Sequence, residues 1–460
     1  MKTTVKRIIS FRFNQYKDIE LKLEKMAQKG LFLEEIRLAF WTFKKGEPRK
    51  VKYTVTYFSE ASMFNPTETD NQQTYFDYAK ESGWNFVAQF NQMQVFVSEN
   101  ENPIPFETDD SEKLANIKKC MTKNFLPSTT AMILVFLLNL VVQFNSYRLF
   151  PTDFFATNGL LLVAAMLATM IYFIYMLLSY FVWCKQSEKS INMGGGCIEK
   201  TNIFNKIINA ILLIFPICIM SLFIFDIAAN NLFILVLGSM QLPIVFIIFW
   251  SSIKLLKKKK QSATINKLVS YSLLTIVSFA YIAFTMIIIV RFDILSGDQR
   301  PYRIVTWQLT PTESRDYKQY SDNIPMKSED LYGSIDYQYY SYEKNIDNSF
   351  FLIRSDYRQY SLPAKDSPPR VEYTIIEPKL DFVYDIVARD LKKVPEWSDK
   401  KIEPLDNEIF GTEEAYQFYY DMDGTGNYLL FYKDKIIQLN LEEPATVDQI
   451  SVIKKKLELH

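Results

Sequence analysis

Histidine is all but missing: one in 460 residues, His460. That excludes imidazole-based triads, His-ligated zinc and histidine phosphotransfer, each of which needs a ring nitrogen. Cysteine is nearly as scarce. The four copies, Cys120, Cys184, Cys197 and Cys218, leave the rest of the chain beyond Cys218 without one, so no disulfide framework staples it. Cys184 and Cys197 flank one loop and could pair or hold a metal, but their spacing fits no zinc pattern. Glycine numbers 13. Its one triplet, in "NMGGGCIEK", opens no helix after a strand, so neither a P-loop nor a dinucleotide fingerprint is present and loop flexibility is the simpler reading. The first residues are charged and interrupted, without the apolar core of a signal peptide. No cofactor, metal site or catalytic set is therefore expected, and the chain reads as non-enzymatic.

Net charge is missing too: 52 basic residues face 52 acidic ones, which argues against a general polyanion binder. The average conceals a division. From Ser296 onward there are 21 basic and 30 acidic residues, a balance of −9, leaving 31 and 22, or +9, before it. Opposite signs on two parts of one chain suggest two environments.

Long apolar runs are abundant. Phe125–Phe144, Gly159–Trp183, Ile207–Phe225, Leu232–Trp250 and Leu268–Val290 each approach the roughly 20 residues that cross a bilayer as a helix. Soluble core helices rarely stay apolar on every face for so long, and five in succession would be extraordinary. The first run is the weakest, since Pro127 and Asn139 interrupt it. The fold class expected is a membrane α-helical bundle of five transmembrane helices flanked by two α+β domains. Its expected parts are a domain over 1–110, a basic juxtamembrane linker over 111–124, the helical region over 125–291 and a second domain over 296–460.

Lysine sets the expected direction. Fourteen lysines flank one set of ends, in the segments before the first span, between the second and third, and between the fourth and fifth. The other flanks carry four arginines, Arg148, Arg291, Arg300 and Arg303. Cations are retained on the cytoplasmic side, so the amino terminus is expected inside and residues after Arg291 outside. The run "SIKLLKKKKQ" then becomes an inner-leaflet anchor. Lys254, Lys257, Lys258, Lys259 and Lys260 are its candidate contacts with anionic headgroups. Nucleic acid is not expected there, because no aromatic residues interleave to stack bases. Within the spans Asn139, Asn209, Asp226 and Gln241 are polar, and Pro216 and Pro243 are possible kinks. No charge lies at mid-depth, where a solute carrier commonly needs one.

The first 110 residues alternate between patterns. "YKDIELKLEKMAQKG" spaces Ile19, Leu23 and Met26 as a helix ending at Gly30. "FWTFKKGEPRK" reads as a strand entering a turn at Gly46–Pro48, and "VKYTVTYF" as a half-buried strand. "QQTYFDYAKESG" is a helix stopping near Gly83, and "WNFVAQFNQMQVFV" a hairpin around Asn91–Gln92. The order β-α-β-β-α-β-β suggests one sheet with helices on one face. Trp41 with Lys44, Lys45, Arg49 and Lys50 is a candidate inner docking patch, for a protein partner or the lipid surface. The alternative is that the tryptophans, Trp84 among them, pack the sheet while the cations meet water.

The stretches "LEKMAQKGLFLEEI", "FWTFKKGEPRKVKYTVTYF" and "SGWNFVAQFNQMQVF" resemble the "domain of unknown function 2812" family of Firmicutes membrane proteins, over roughly the first 100 residues. The likeness rests on the helix ending at Gly30, the strand through Trp41, the Lys-Gly-Glu-Pro turn and the Gly83–Trp84 pair. Leu31 and Phe32 stand where the family pattern would place a tryptophan or another aromatic directly after the glycine. The resemblance carries no activity and no catalytic residues. It implies a membrane location and a role in a cell-envelope or drug-stress circuit beside a transcriptional regulator.

Beyond Ser296 the chain is rich in tyrosine. Strand alternation is expected at Ile335, Tyr337 and Tyr339, an amphipathic helix in "PKLDFVYDIVARDLKK", and a helix or strand in "EEAYQFYY". A hairpin should turn at Lys433–Asp434–Lys435, and a closing helix should be capped by Thr446. Tyr337, Tyr339, Tyr340 and Tyr342 are the candidate outer binding surface, suited to a cationic peptide or an envelope ligand, or else they simply fill a half-buried pleat. "DMDGTGN" imitates a calcium loop through Asp421, Asp423 and Thr425, but Tyr432 stands where the bidentate acid belongs, and a turn is the better reading. The function expected is a sensing or regulatory link between an outer binding domain and a cytoplasmic docking domain. The alternative is a subunit or permease-like component of a transport or immunity system, with a membrane-embedded enzyme ranked last.

Overall fold

The computed structural model describes residues 4–9, 13–37, 40–198, 203–291, 301–310, 313–333, 340–361, 370–393, 400–420 and 423–457. It divides into two compact units, one of Met1–Asn139 with Ala165–Ile294 and the other of Leu140–Ala164 with Leu295–His460.

In the first unit, β1 (Thr4–Arg7) is followed by α1 (Tyr16–Ala27), β2 (Leu31–Ile36), β3 (Trp41–Lys45) and β4 (Lys52–Tyr57). Then come α2 (Asp70–Glu81), β5 (Asn85–Phe90) and β6 (Met93–Ser98). Tyr16, Ile19, Leu23 and Ala27 form one buried face of α1, as their spacing dictates. Gly30 ends that segment at φ +73°, and a Cβ there would lie 2.4 Å from the Gly46 carbonyl oxygen, so both conformation and space demand glycine.

Two features depart from the sequence expectation. β2 is an additional strand, and the six strands form two three-stranded sheets, β1-β3-β2 and β4-β6-β5, where one was expected. The reason lies along the free edge of β4. Its Val55 N–H donates to the Glu20 carboxylate at 2.9 Å and its Tyr53 N–H to Glu24 at 3.5 Å. Helix α1 thus takes the donors that a neighbouring strand would have taken. The connection from β3 to β4 bonds likewise to the end of α1, through Gly46 N–H to the Gly30 carbonyl and Arg49 N–H to that of Ala27.

Residues 111–124, expected as a linker, are almost wholly helical. α3 (Asp110–Lys123) is capped by Asp109 and buries Leu114, Ile117 and Cys120 in the core shared with α1 and the sheets. After it run α4 (Phe125–Leu149), α5 (Pro151–Ala156), α6 (Gly159–Asn192), α7 (Ile203–Lys258) and α8 (Ala263–Arg291). The far end of α6 joins the same core. Phe13 packs against Phe125, Tyr180 and Trp183 with ring centroids 5.2–5.7 Å apart, and Lys118 pairs with Glu188. The loop at Phe64 is held by α8, where Asn266 donates to the Phe64 carbonyl at 2.8 Å.

Four helical stretches are long and apolar enough to cross a membrane: Asp110–Leu149, Gly159–Asn192, Val236–Lys258 and Ala263–Ile288. A fifth apolar stretch, Ala210–Leu222, is shorter. The buried share of the four most apolar windows is 6%, 11%, 12% and 0%. Side chains this apolar and this uncovered need an apolar solvent on every side, so these are membrane-type helices. The loop expected at Asp226–Asn231 is helical instead. α7 continues through it for 56 residues, about 84 Å at helical rise. Its "DIAANN" contains neither Gly nor Pro, so nothing local interrupts the hydrogen-bond ladder.

The second unit begins with α5 and continues through β7 (Tyr302–Thr310), β8 (Glu313–Tyr320), α9 (Ser328–Tyr332), β9 (Tyr340–Asn348), β10 (Leu352–Ser361) and β11 (Val371–Pro378). It is completed by α10 (Asp381–Leu391), β12 (Lys400–Leu405), α11 (Asn407–Phe410), β13 (Glu414–Tyr420), β14 (Asp423–Phe431), β15 (Ile436–Leu441) and α12 (Val447–Lys456). Seven strands make one antiparallel sheet in the order β12-β13-β14-β15-β11-β10-β9, while β7 and β8 form a separate hairpin. "EEAYQFYY" is strand β13. Thr446 caps α12 reciprocally with Gln449.

Candidate functional site

The central strands of the seven-stranded sheet bury one face. Tyr357, Tyr373, Tyr428 and Leu439 project from successive strands into a core closed by α9, α11 and α12. The tyrosine hydroxyls are satisfied there: Tyr373 accepts from Met326 N–H at 2.9 Å and Tyr428 from Ala445 N–H at 2.9 Å. Burial raises the Tyr373 phenol well above its ordinary range.

The opposite face is divided, and the strand register shows where. One rung runs Asp347, Arg354, Ile376, Ile436, Phe431. Its apolar members are covered by α10 and by α5, whose Phe154, Phe155 and Ala156 enter the same core beside Phe351, Val383 and Val387. Two rungs further along the strands the residues are Glu343, Arg358, Glu372, Asn440 and Asn427. No helix covers that part among the described residues. It forms a groove of about 280 Å³, lined also by Asp356, Thr374, Gln438 and Phe418.

Covered and open halves meet at one guanidinium. Arg354 donates to Asp153 of α5 at 2.5 Å and to Asp356, in the groove, at 3.2 Å. Thr374 fixes the same Asp356 from β11 at 2.6 Å. Burial alone would lower the Arg354 pKa, but Asp356 and Asp153 outweigh it and hold the group above its usual value. Asp347, opposite Arg354 in the register, is pushed up by burial, with Arg354 opposing. Just after α5, Asn158 at φ 56° is buried and accepts from the Phe350 N–H at 2.9 Å. The connection between α4 and α6 is thereby built into the sheet domain by a buried aromatic pair, an ion pair and a hydrogen bond to the Asn158 side chain. Its sequence signal was the run "FPTDFFATNG", where the adjacent pair Phe154–Phe155 in a short polar connection announces burial.

The residues singled out from the sequence fall differently. Lys254, Lys258, Lys259 and Lys260 are exposed and Lys257 half-buried, at the end of α7 and in the turn to α8. Trp41 does not belong to any exposed patch: alternation along β3 sends it, with Phe43, into the core at 1% exposure. Lys44, Lys45 and Lys50 stay exposed, while Arg49 pairs with Glu99 at 2.6 Å and lies 4.8 Å from the Phe32 ring centre. Tyr340 is likewise no surface residue, being 2% exposed. Tyr342 is half-buried, donates to Glu329 at 2.5 Å and has Lys327 over its ring. Tyr337 and Tyr339 lie outside the described residues, as do Asp421 and His460. Thr425 donates to the Phe418 carbonyl at 2.6 Å within the β13–β14 hairpin, and Tyr432 to that of Phe410 at 3.1 Å, tying the end of β14 to α11. Cys184 and Cys197 are buried and not joined in a disulfide, and no cluster of three metal-ligating side chains occurs among the described residues.

Comparison with known families bears on the amino-terminal part of the first unit. Residues 15–129 match the family described as "Protein of unknown function (DUF2812)". The DUF2812 match runs from the turn before α1 into the first residues of α4, so it takes in α3 as part of the family unit. No curated protein and no solved structure matches the chain. DUF2812 brings a membrane-type helix start and no assigned chemistry; the sheet domain stands outside the match.

Proposed function

We propose that the chain is a non-enzymatic multipass membrane protein that links a ligand-reading sheet domain, outside the cell, to a DUF2812 docking unit in the cytoplasm. One observation carries the reading: α5, the connection between α4 and α6, is buried in the sheet domain and held there by Arg354, which also forms part of the open groove. Any occupant that competes for Arg354 or Asp356 alters the hold on α5. The chain enters α4 and leaves α6 within the core that also contains α1 and α3, so a change in either helix reaches the docking unit. Lysine asymmetry supports five crossings with the amino terminus inside, and α7, at 56 residues, has length enough for two spans of a bilayer about 30 Å thick. The lysines after α7 contact anionic lipid, and the exposed cations at Lys44, Lys45 and Lys50 face a protein partner in the cytoplasm.

Hydrogen exchange of the full chain in lipid nanodiscs tests the link. Asp153→Asn is expected to raise exchange in Pro151–Ala156 at least about tenfold and, measurably, in α1 and α3. Faster exchange at α5 with α1 and α3 unchanged would defeat the reading.

A further inference from the structure

We infer that the open half of the sheet face is a binding site for a neutral saccharide. The inference rests on the reading above only in taking the sheet domain as the ligand-receiving part. Four side chains stand side by side on one rung: Asn427, Asn440, Glu372 and Arg358, one from each of four adjacent strands. At the spacing of strands the rung extends roughly 14 Å, which suits an elongated ligand better than a single ion. Gln438 stands on the next rung, opposite Thr374.

Three amides, of Asn427, Gln438 and Asn440, have no side-chain hydrogen-bond partner among the described residues. Each offers a donor and an acceptor in one plane. Glu372 and Arg358, 3.9 Å apart, add a carboxylate acceptor and a guanidinium fork. Hydroxyls of a sugar act as donors and acceptors at once, and such a set answers both. Phe418 contributes apolar surface for a ring's C–H face. Charge decides against the other classes. Arg354, Arg358 and Arg370, the last paired with Glu372, face Asp356, Glu372 and Glu343, so neither a polyanion nor a cationic peptide gains from the groove's field. An extended peptide would add its backbone to a sheet edge, whereas these groups lie on the face of central strands. The bound sugar would lie against Asp356, the residue that Arg354 shares with α5.

Calorimetry on the full chain in nanodiscs tests this with four probes. Chitotetraose and maltotetraose represent free glycan, vesicles containing diglucosyl diacylglycerol represent a lipid headgroup, and tetralysine represents the cationic alternative. Binding of at least one sugar probe is expected, weakened fivefold or more in both Asn440→Ala and Gln438→Ala, whose thermal midpoints should match the parent's. Absence of sugar binding, parental affinity in either variant, or binding of tetralysine alone would overturn the proposal. Asp153→Asn separates the two ideas. Sugar binding that survives there, with no change in α1 and α3 exchange, sinks the link and leaves the site standing.

Discussion

Glu107 is a carboxylic acid whose setting brings its titration to about neutral pH. It is 16% exposed and 3.9 Å from Lys113, with Glu20, Asp110 and Glu112 adding negative charge nearby. Burial, reinforced by those carboxylates and only partly offset by Lys113, pushes its pKa up to about 7. Glu20 is raised as well, again by burial, against the Val55 N–H and Lys17. A folded-state pKa above the ordinary 4.5 means that the folded chain holds the proton more tightly. The stabilisation is complete below about pH 4.5 and falls away as pH rises through about 7. Unfolding of the full chain in detergent should therefore become easier from pH 5 to pH 8, and Glu107→Gln should flatten that slope. An unchanged slope in the variant would place the titration elsewhere.

Among the elements, α5 has six residues, too few to persist alone in water. Tertiary burial makes it a helix. Phe155, 2% exposed, touches the rings of Phe154, Phe351 and Phe382. Removing such a side chain leaves a cavity, at a typical cost of about 3–5 kcal/mol. Phe155→Ala should lower the midpoint of the sheet-domain unfolding step, followed by near-ultraviolet circular dichroism, by several degrees. Phe150→Ala should change little, since Phe150 is 59% exposed. Equal effects would mean that α5 is not anchored by its buried rings. Strand β4 makes a related point: Glu20 and Glu24 on α1 take its edge amides, so a helix determines how many strands share a sheet.

For the whole molecule, the proposed orientation has a direct check. Single cysteines placed at Lys45 and at Lys433, in a chain whose four natural cysteines are replaced by serine, should differ in intact cells. A membrane-impermeant maleimide is expected to label position 433 and to reach position 45 only after permeabilisation. Labelling of both before permeabilisation contradicts an odd number of crossings. Changing Lys257–Lys260 to glutamine should blur that difference, because the cation bias that holds the orientation is reduced.

Helices with their caps were legible in the sequence because the information is local. Apolar spacing marks α1, α2, α10 and α12; Gly30 and Gly83 end two of them at positive φ, and Thr446 starts another. The membrane-type helices were legible because their composition suffices, whichever neighbour they meet. Pairing and facing were not. Period-two alternation shows that Trp41 and Tyr340 differ from their neighbours, but not which side of the strand is covered, and both proved to be interior. The split of six strands into two sheets, the burial of α5 and the four-strand polar rung each depend on residues tens to hundreds of positions apart, such as Asp153 and Arg354. Sequence by itself determined most of the helices and the apolar runs, since bonds within a few residues and the solvent decide that, while β2, the helical course of 111–124 and the continuity of α7 were not legible. Tertiary structure alone decided which polar groups remain open to a ligand, since that is set by what the fold happens to cover.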